Sequence, residues 1–202
     1  EPPHDGVIVV RIMRNDHRDA RGVANVRAVV LPAATDADRR RIEAARLEAT
    51  ACLVFPDPAK GMESADKFAA AAALQDEVGD GSRSGTALLH AAGARYLRLN
   101  DWNGAADLAA RAGATLEKAD ELALAAFALR VEGAALDMAA NSDDLAVGAR
   151  RRMVDRARDR LTRAATRLEA LGMNYEAGYA LNYRGVSFYE SGERDRARAD
   201  LH

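Results

Sequence analysis

The sequence predicts a mainly α-helical protein, an α-solenoid of stacked helical hairpins with a small β-hairpin element at its N-terminus. Three observations support this fold class. Alanine accounts for 46 of the 202 residues, and it is the strongest helix former and a weak strand former. Aromatic residues make up only 5% of the chain, so the core must consist largely of small side chains in closely packed helices. A spaced pattern of small and large residues then recurs along the chain.

Residues 1–34 carry the expected β element. Residues 7–13 and 23–31 are both rich in valine and isoleucine or leucine, and a polar stretch, 14–22, separates them. Two such runs joined by a polar loop predict an antiparallel hairpin. Two strands alone are only marginally stable in water, so we expect them to lean on the helices or on strands that precede Glu1.

The helical region begins at residue 35. Thr35 or Asp36 can cap a helix that runs to about Val54, and prolines 56 and 58 end it. A second helix is predicted from Ser64 to Val78. Almost all of the remaining chain is predicted to be helical, with turns at residues 79–81, 119–120, 141–144 and 172–174.

A leucine, a glycine and a large apolar residue recur at a spacing of four and then three residues. The three sets are Leu89, Gly93 and Tyr96; Leu129, Gly133 and Leu136; and Leu181, Gly185 and Phe188. Each set precedes a helix of small residues: the first contains Ala105, Ala109 and Ala112, the second contains Ala157, Leu161 and Ala164, and the third begins with Ala197. The underlying period is 40 residues, with a 12-residue insertion in the middle unit.

Counting back one period reveals an earlier, degenerate unit. The small residues 105, 109 and 112 then correspond to Ala65, Ala69 and Ala72. The helical region therefore divides into a degenerate unit at 36–80 and units at 86–119, 126–172 and 178–202, the last of them truncated. Glycine or alanine at a helix crossing lets two backbones approach closely, and a single hairpin cannot bury its apolar face alone. We therefore expect the units to stack.

This pattern resembles the tetratricopeptide repeat (TPR) over about residues 62–202. The best match is Leu181-x3-Gly185-x2-Phe188-x3-Gly192-x4-Ala197, and the next is the unit that contains Gly93, Tyr96, Trp102 and Ala105. Asn100 stands where the family usually has glycine, and asparagine also tolerates a left-handed turn. The 40-residue period is similar to the longer repeats of bacterial signalling and regulatory proteins. The resemblance implies a helical scaffold that binds proteins.

A narrower resemblance concerns the N-terminal region. A β-rich segment, the stretch 31–41 and then long-spaced repeats look like the N-terminal part of bacterial CHAT-domain proteins, in which the repeats precede a caspase-like peptidase domain with a His/Cys pair. No such domain is present in residues 1–202. The chain starts without methionine and stops within a repeat helix, so we expect it to be a fragment of a larger protein. The resemblance implies a bacterial protein, and the sequence does not distinguish the cytoplasm from the periplasm as its compartment.

In the repeat family, the first helix of each hairpin lines a concave groove. The positions at fixed offsets from the repeat glycines are Ala87, His90, Ala94, Leu97 and Arg98, then Phe127, Arg130, Ala134, Asp137 and Met138, then Tyr179, Asn182, Val186, Tyr189 and Glu190. Five of these are the candidate partner-binding residues: His90, Arg98, Arg130, Asn182 and Tyr189. The alternatives are that these are ordinary solvated helix residues, or that the groove receives another part of the same full-length protein.

The insertion at residues 141–152 leads into an arginine-rich helix with arginines at 150–152, 156, 158, 160 and 163. Such a run can form a basic edge for an acidic partner. The favoured interpretation is a solvated helix face, because Asp155 and Asp159 lie among the arginines.

The numbers of charged residues, cysteines and histidines, and the lengths of the apolar runs, argue against other classes of protein. The 29 basic and 31 acidic residues give a net charge of −2, so nothing in the overall charge attracts nucleic acid. No apolar run is long enough to span a membrane. Cys52 is the only cysteine and has apolar neighbours, which predicts a packing role rather than a nucleophile. Neither the histidines nor any carboxylates show metal-ligand spacing, and we expect no cofactor.

The sequence also does not match two catalytic motifs, the phosphate-binding loop and the catalytic triad. The glycine-rich stretch 79–85 follows a predicted helix and lacks the lysine of a phosphate-binding loop. Serine, histidine and aspartate occur without a spacing that supports a triad. The sequence therefore predicts a non-catalytic protein–protein interaction scaffold that binds a peptide or protein partner, which could be an effector domain of the same protein. The alternatives are the regulatory region of a CHAT-type peptidase and a peptide-sensing regulator.

Overall fold

The computed structural model describes residues 35–142 and 145–201, and this part of the chain is mainly α-helical and contains no strand. The predicted β element at 1–34 lies outside the described residues. The eight helices of the described part are α1 (Asp36–Val54), α2 (Gly61–Glu77), α3 (Gly81–Ala94), α4 (Trp102–Lys118), α5 (Leu122–Ser142), α6 (Val147–Ala170), α7 (Asn174–Glu190) and α8 (Arg194–Leu201).

Side-chain caps set several of the helix starts. The Thr35 hydroxyl accepts a hydrogen bond from the Asp38 N–H at 3.1 Å, and the Asp38 carboxylate accepts one from the Thr35 N–H at 3.0 Å, which completes a capping box. Asp80 and Asp101 likewise accept hydrogen bonds from backbone N–H groups in the first turns of α3 and α4. The predicted start of the first helix at residues 35–36 is confirmed.

Left-handed residues end several helices. Gly79, Gly172 and Gly192 have φ angles of 74–80°, a region that glycine enters without steric cost. Asn100 has φ 52° and ψ 26°, as its place in the repeat predicts. It follows a π-helical segment, Arg95–Leu99, that continues α3. The wider turn of this segment changes the face on which the side chains after Ala94 lie.

Each helix packs mainly against the helices before and after it in the chain. All seven consecutive pairs, from α1 with α2 to α7 with α8, are in contact, and α3 with α5 and α5 with α7 also touch. The first helices of the last three hairpins, α3, α5 and α7, therefore adjoin one another. This arrangement places α3, α5 and α7 side by side and decides where the cavities described below can form.

Alanine supplies most of the buried apolar side chains in the described part of the chain. The repeat alanines are buried, except Ala69, which is half-buried; the buried set comprises Ala65, Ala72, Ala105, Ala109, Ala112, Ala157, Ala164 and Ala197. Leu116, Leu161 and Leu168 are the largest fully buried side chains. Small side chains between the helices allow their backbones to approach closely, as the composition predicts.

The three repeat glycines are not equivalent. A Cβ on Gly133 would lie 2.7 Å from Leu161 Cγ, and one on Gly185 would lie 2.9 Å from Leu201 Cγ, so both mark close helix crossings. A Cβ on Gly93 would meet nothing within 4 Å. The expectation of a close crossing is therefore wrong for Gly93. In that hairpin the crossing lies two turns earlier, at Gly85, whose Cβ would approach Leu116 Cγ to 2.5 Å.

The insertion lengthens both helices of the middle hairpin. Helix α6 begins ten residues before Ala157, whereas α4 begins three residues before the equivalent Ala105. Helix α5 ends nine residues after Gly133, whereas the helical segment that follows Gly93 ends after six. The extra turns bring residues such as Asn141 and Arg151 alongside the C-terminal end of α7, where they line a second cavity.

Candidate functional site

A cavity of about 410 Å³ lies between α3, α5 and α7, and we call it the tyrosine cavity. Its lining includes four of the five tyrosines of the chain, Tyr96, Tyr175, Tyr179 and Tyr183. The small residues Gly93 and Ala134 also line it, as do Leu97, Val131, Arg130 and Glu176. Because Gly93 has no side chain, the space beside it stays open. The cavity therefore combines aromatic walls, one basic and one acidic group, and an apolar surface.

The tyrosines of α7 lie on one face of that helix. Tyr175, Tyr179, Tyr183, Val186 and Tyr189 follow at spacings of four, four, three and three residues, which align them in a single stripe. All five are exposed, with Tyr175 at 72% and Tyr189 at 62% of their surfaces. The opposite face is buried through residues 177, 180 and 185. Helix α7 thus packs against its neighbours through small residues, and its large side chains are exposed.

Hydrogen bonds orient the tyrosine rings. The hydroxyls of Tyr175 and Tyr179 are 2.9 Å apart, and their rings pack edge to face with centroids 5.1 Å apart. Burial raises the pKa of Tyr96 to about 12, and its hydrogen-bonded neighbour Tyr183 and the Asp137 carboxylate act in the same direction. Tyr96 is therefore a neutral hydrogen-bonding group at physiological pH and joins α3 to α7.

Arg130 of α5 is held among aromatic rings in the same cavity. Its Nη1 donates to Glu176 Oε2 at 3.0 Å, and its guanidinium carbon lies 5.2 Å from the Phe127 ring centroid and 5.6 Å from that of Tyr179. Arginine stacked on aromatic faces and paired with a carboxylate keeps a defined orientation. The tyrosine cavity therefore has a positioned positive charge at one place.

A second cavity, of about 570 Å³, lies between α5, α6 and α7, and we call it the Asp137 cavity. Asp137 is only 7% exposed, and its Oδ1 has no hydrogen-bond partner among the described residues. Burial raises the pKa of Asp137; a hydrogen bond from Ser187 opposes the increase, the Glu190 carboxylate adds to it and the Arg158 guanidinium opposes it. A buried carboxylate with one unsatisfied oxygen is costly, because burial removes its hydration.

Arg158 of α6 forms one wall of the Asp137 cavity and ties α6 to α7. Its guanidinium donates to Ser187 Oγ at 3.1 Å, to the Ser187 carbonyl oxygen at 2.7 Å, to Ser191 Oγ at 2.7 Å and to Glu193 Oε1 at 2.7 Å. It also lies over the Phe188 ring, 4.3 Å from its centroid. These contacts engage its donors within the protein.

Several arginines of the same run have internal partners rather than forming a free basic edge. Arg156 and Arg160 both pair with Glu132, at 3.0 and 2.9 Å, and the Glu132 side chain is buried. Arg163 lies 3.7 Å from Asp159 on the exposed surface of α6. Arg156 and Arg160 therefore hold α6 against α5, and Arg158 holds it against α7.

The five sequence-predicted site residues are not brought together. Arg130 lines the tyrosine cavity, together with Leu97, Ala134 and Tyr179 from the wider set of predicted groove positions. Asn182 and Tyr189 are exposed on α7 and line neither of the two cavities.

His90 and Arg98 lie towards the first hairpin. The centroids of the His90 and Phe68 rings lie 5.1 Å apart. Part of the His90 surface is exposed, but the protein atoms around the imidazole exclude enough water to lower its pKa. Arg98 lies in the π-helical segment, with its guanidinium carbon 4.6 Å from the Phe55 ring centroid. Neither side chain lines the tyrosine cavity.

Sequence reasoning selected Arg130 and passed over most of the tyrosines that surround it. The signal was present in the spacing of Tyr175, Tyr179 and Tyr183, which lie one helical turn apart. Asp137 was among the groove positions without being selected. Its burial depends on side chains from two other helices, which the spacing within α5 does not reveal.

Other kinds of site are not found in the described residues. Within 35–142 and 145–201, no three His, Cys, Asp or Glu side chains are grouped so that they could hold a metal ion. Cys52 is half-buried and packs beside Ala51, Phe68 and Ala91. No described helix combines the length and apolar character needed to cross a membrane. No protein family, curated protein or solved structure matches the chain.

Proposed function

We propose that this chain is a non-catalytic interaction scaffold, a TPR-like solenoid of helical hairpins that binds a peptide segment in the tyrosine cavity. The tyrosine cavity itself is the observation that carries the proposal. The chain-order packing of the helices and the adjacency of α3, α5 and α7 support stacking of the hairpins.

The chemistry of the cavity suits a peptide. Tyrosine offers a large, rigid apolar surface and a hydroxyl that can donate or accept, and it is enriched where proteins bind one another. The volume of about 410 Å³ is within the range of ligand cavities. The exposed stripe on α7 extends the apolar surface beyond the cavity through Val186 and Tyr189. Exposed apolar patches of this kind mark interaction surfaces.

Arg130 adds polarity to the site. Its guanidinium has five N–H donors, and the contact with Glu176 uses one of them. A carbonyl oxygen or carboxylate of a bound peptide can accept from the others.

Peptides selected from a random phage-displayed library on the immobilised protein provide the test. The affinities of the synthetic peptides are then measured by fluorescence anisotropy for the wild type and for Gly93→Leu. The Cβ of a leucine at position 93 meets nothing within 4 Å, and the rest of its side chain would occupy the cavity that Gly93 lines. We expect it to weaken binding by at least about tenfold, or 1.4 kcal/mol.

Gly178→Leu is the matched control. Gly178 is also a helical glycine whose Cβ would meet nothing within 4 Å, but it does not line the cavity. We expect this variant to bind the selected peptides as the wild type does. Failure to enrich any peptide, or equal affinities for Gly93→Leu and the wild type, would contradict the proposal.

A further inference from the structure

We propose that the Asp137 cavity is a subsite that receives a lysine or arginine side chain of the bound peptide. The inference rests on the proposed peptide-binding function and adds the chemical class of the ligand. It also gives the ligand a direction along the protein.

The two cavities follow one another along the same pair of helices. On α5 the tyrosine cavity is lined by Arg130 and Ala134, and the Asp137 cavity continues with Asp137 one turn later. On α7 the first is lined by Tyr183, and the second continues with Ser187 one turn later. A peptide that lies along the tyrosine stripe therefore passes from one cavity to the next.

Asp137 is a buried carboxyl group without a full set of hydrogen-bond partners. One of its oxygens interacts with Ser187, and Oδ1 has no partner among the described residues. A second carboxylate, Glu190, lines the same cavity and accepts from the Asn141 amide at 2.6 Å. Two neighbouring carboxylates, one of them desolvated, favour a ligand that brings positive charge and hydrogen-bond donors.

Three of the four arginines that line the cavity, Arg150, Arg158 and Arg196, already interact with other residues. Arg158 and Arg196 both pair with Glu193, at 2.7 and 2.8 Å. Arg151 lies at an exposed position of α6, one turn before the Asp155 carboxylate. Arg150 is also engaged. The unsatisfied acceptor of the cavity is therefore the Asp137 Oδ1 atom, and the Glu190 carboxylate lines the same cavity.

The approach to Asp137 suits a long basic side chain. Lysine and arginine lay their aliphatic stems along apolar surfaces and keep the charged end at a polar site. Tyr96 and Tyr183 provide such a surface, and Asp137 is close enough to Tyr96 to affect its pKa. At the other end, Arg130 repels a cation and attracts an acidic group. The two ends therefore orient a peptide with its basic residue at Asp137.

A double-mutant cycle tests the inference. The library selection described above should enrich peptides that contain lysine or arginine. Each peptide is then compared with a version in which that residue is methionine, using the wild type and Asp137→Asn. We expect Asp137→Asn to lower the affinity for the basic peptide by at least about tenfold and to change the affinity for the methionine version by less than about twofold.

Asp107→Asn controls for net charge, because Asp107 is an exposed carboxylate of α4 outside both cavities. Selected peptides without basic residues, equal losses for both peptide versions, or an equal effect of Asp107→Asn would each overturn the inference. In all three outcomes Gly93→Leu still reports separately on peptide binding. Loss of affinity in Gly93→Leu without coupling to Asp137 would leave the proposed function intact.

Discussion

Leu161 of α6 lies directly over Gly133 of α5, so that a Cβ at position 133 would be 2.7 Å from Leu161 Cγ. The same Cβ would lie 3.0 Å from the carbonyl oxygen of Ala157, which cannot move without displacing the helix. Gly133 and Leu161 are both buried, and their contact fixes the distance between α5 and α6, the two longest helices of the described chain. This relationship leads to the first prediction.

Gly133→Ala should destabilise the protein. The added methyl group forces apart α5 and α6, and overpacking of this kind costs about 1–3 kcal/mol, which exceeds the helix-propensity gain of about 1 kcal/mol. The measurement is the midpoint of urea denaturation followed by circular dichroism. The midpoint should fall relative to the wild type.

Gly93→Ala is the matched comparison. Gly93 occupies the same repeat position, but a Cβ there meets nothing within 4 Å. The substitution should raise the free energy of unfolding by about 0.5–1 kcal/mol, because alanine loses less backbone entropy than glycine in a helix. A higher urea midpoint for both variants would show that the crossing at Gly133 is not tight.

Arg158→Lys should destabilise the contact between α6 and α7 although it keeps the charge. Lysine cannot reproduce the forked donation to Ser187, Ser191 and Glu193, nor the stacking on Phe188. We expect a loss of about 1–3 kcal/mol in the free energy of unfolding. Arg163→Lys, at an exposed position of the same helix, should change it by less than about 0.5 kcal/mol. Equal effects of the two would argue against the Arg158 network.

His90 should make stability depend on pH. Burial lowers its pKa, so between that lowered value and the ordinary value of about 6.5 the unfolded chain binds a proton that the folded chain does not. The stability that the neutral imidazole contributes is present above about pH 6.5 and is lost as the pH falls.

His90→Gln removes this contribution. Its thermal midpoint should fall less than that of the wild type between about pH 7.5 and pH 5. The comparison cancels the contributions of carboxylates such as Glu48, whose pKa burial raises. Parallel curves for the two proteins would show that His90 titrates as it does in the unfolded chain.

Asp137→Asn should stabilise the protein at neutral pH. Because burial raises the pKa of Asp137, ionising it costs more in the folded state than in the unfolded state. The cost applies above the raised pKa and disappears below the unfolded value of about 3.9. The urea midpoint of the variant should exceed that of the wild type at pH 7.5, and the gain should shrink on acidification.

Asp155→Asn, at an exposed carboxylate that lines the same cavity, should leave the midpoint nearly unchanged. A lower midpoint for Asp137→Asn would mean that the carboxylate stabilises the fold. If Asp137 serves binding rather than folding, Asp137→Asn should be more stable than the wild type and should bind basic peptides less tightly.

Much of the helical architecture could be predicted because its signals are local. Thr35 caps the first helix through a residue three positions away, and Asn100 ends a helix through its own backbone angles. The alignment of Tyr175, Tyr179 and Tyr183 also follows from helix geometry alone. The same periodicity selected all five candidate site residues, yet Arg130 alone lines the tyrosine cavity, because periodicity within one helix does not specify which neighbouring side chains surround a position.

Spacing within the sequence determined the helices, their turns and the small residues at which they cross. Only the tertiary structure decided that Gly93 opens a cavity while Gly133 closes a crossing, and that Tyr96 meets Tyr183. It alone placed a partly unsatisfied carboxylate, Asp137, between Ser187 and Arg158. The physical reason is that these environments depend on side chains from other helices, and helix periodicity does not specify the distances between helices.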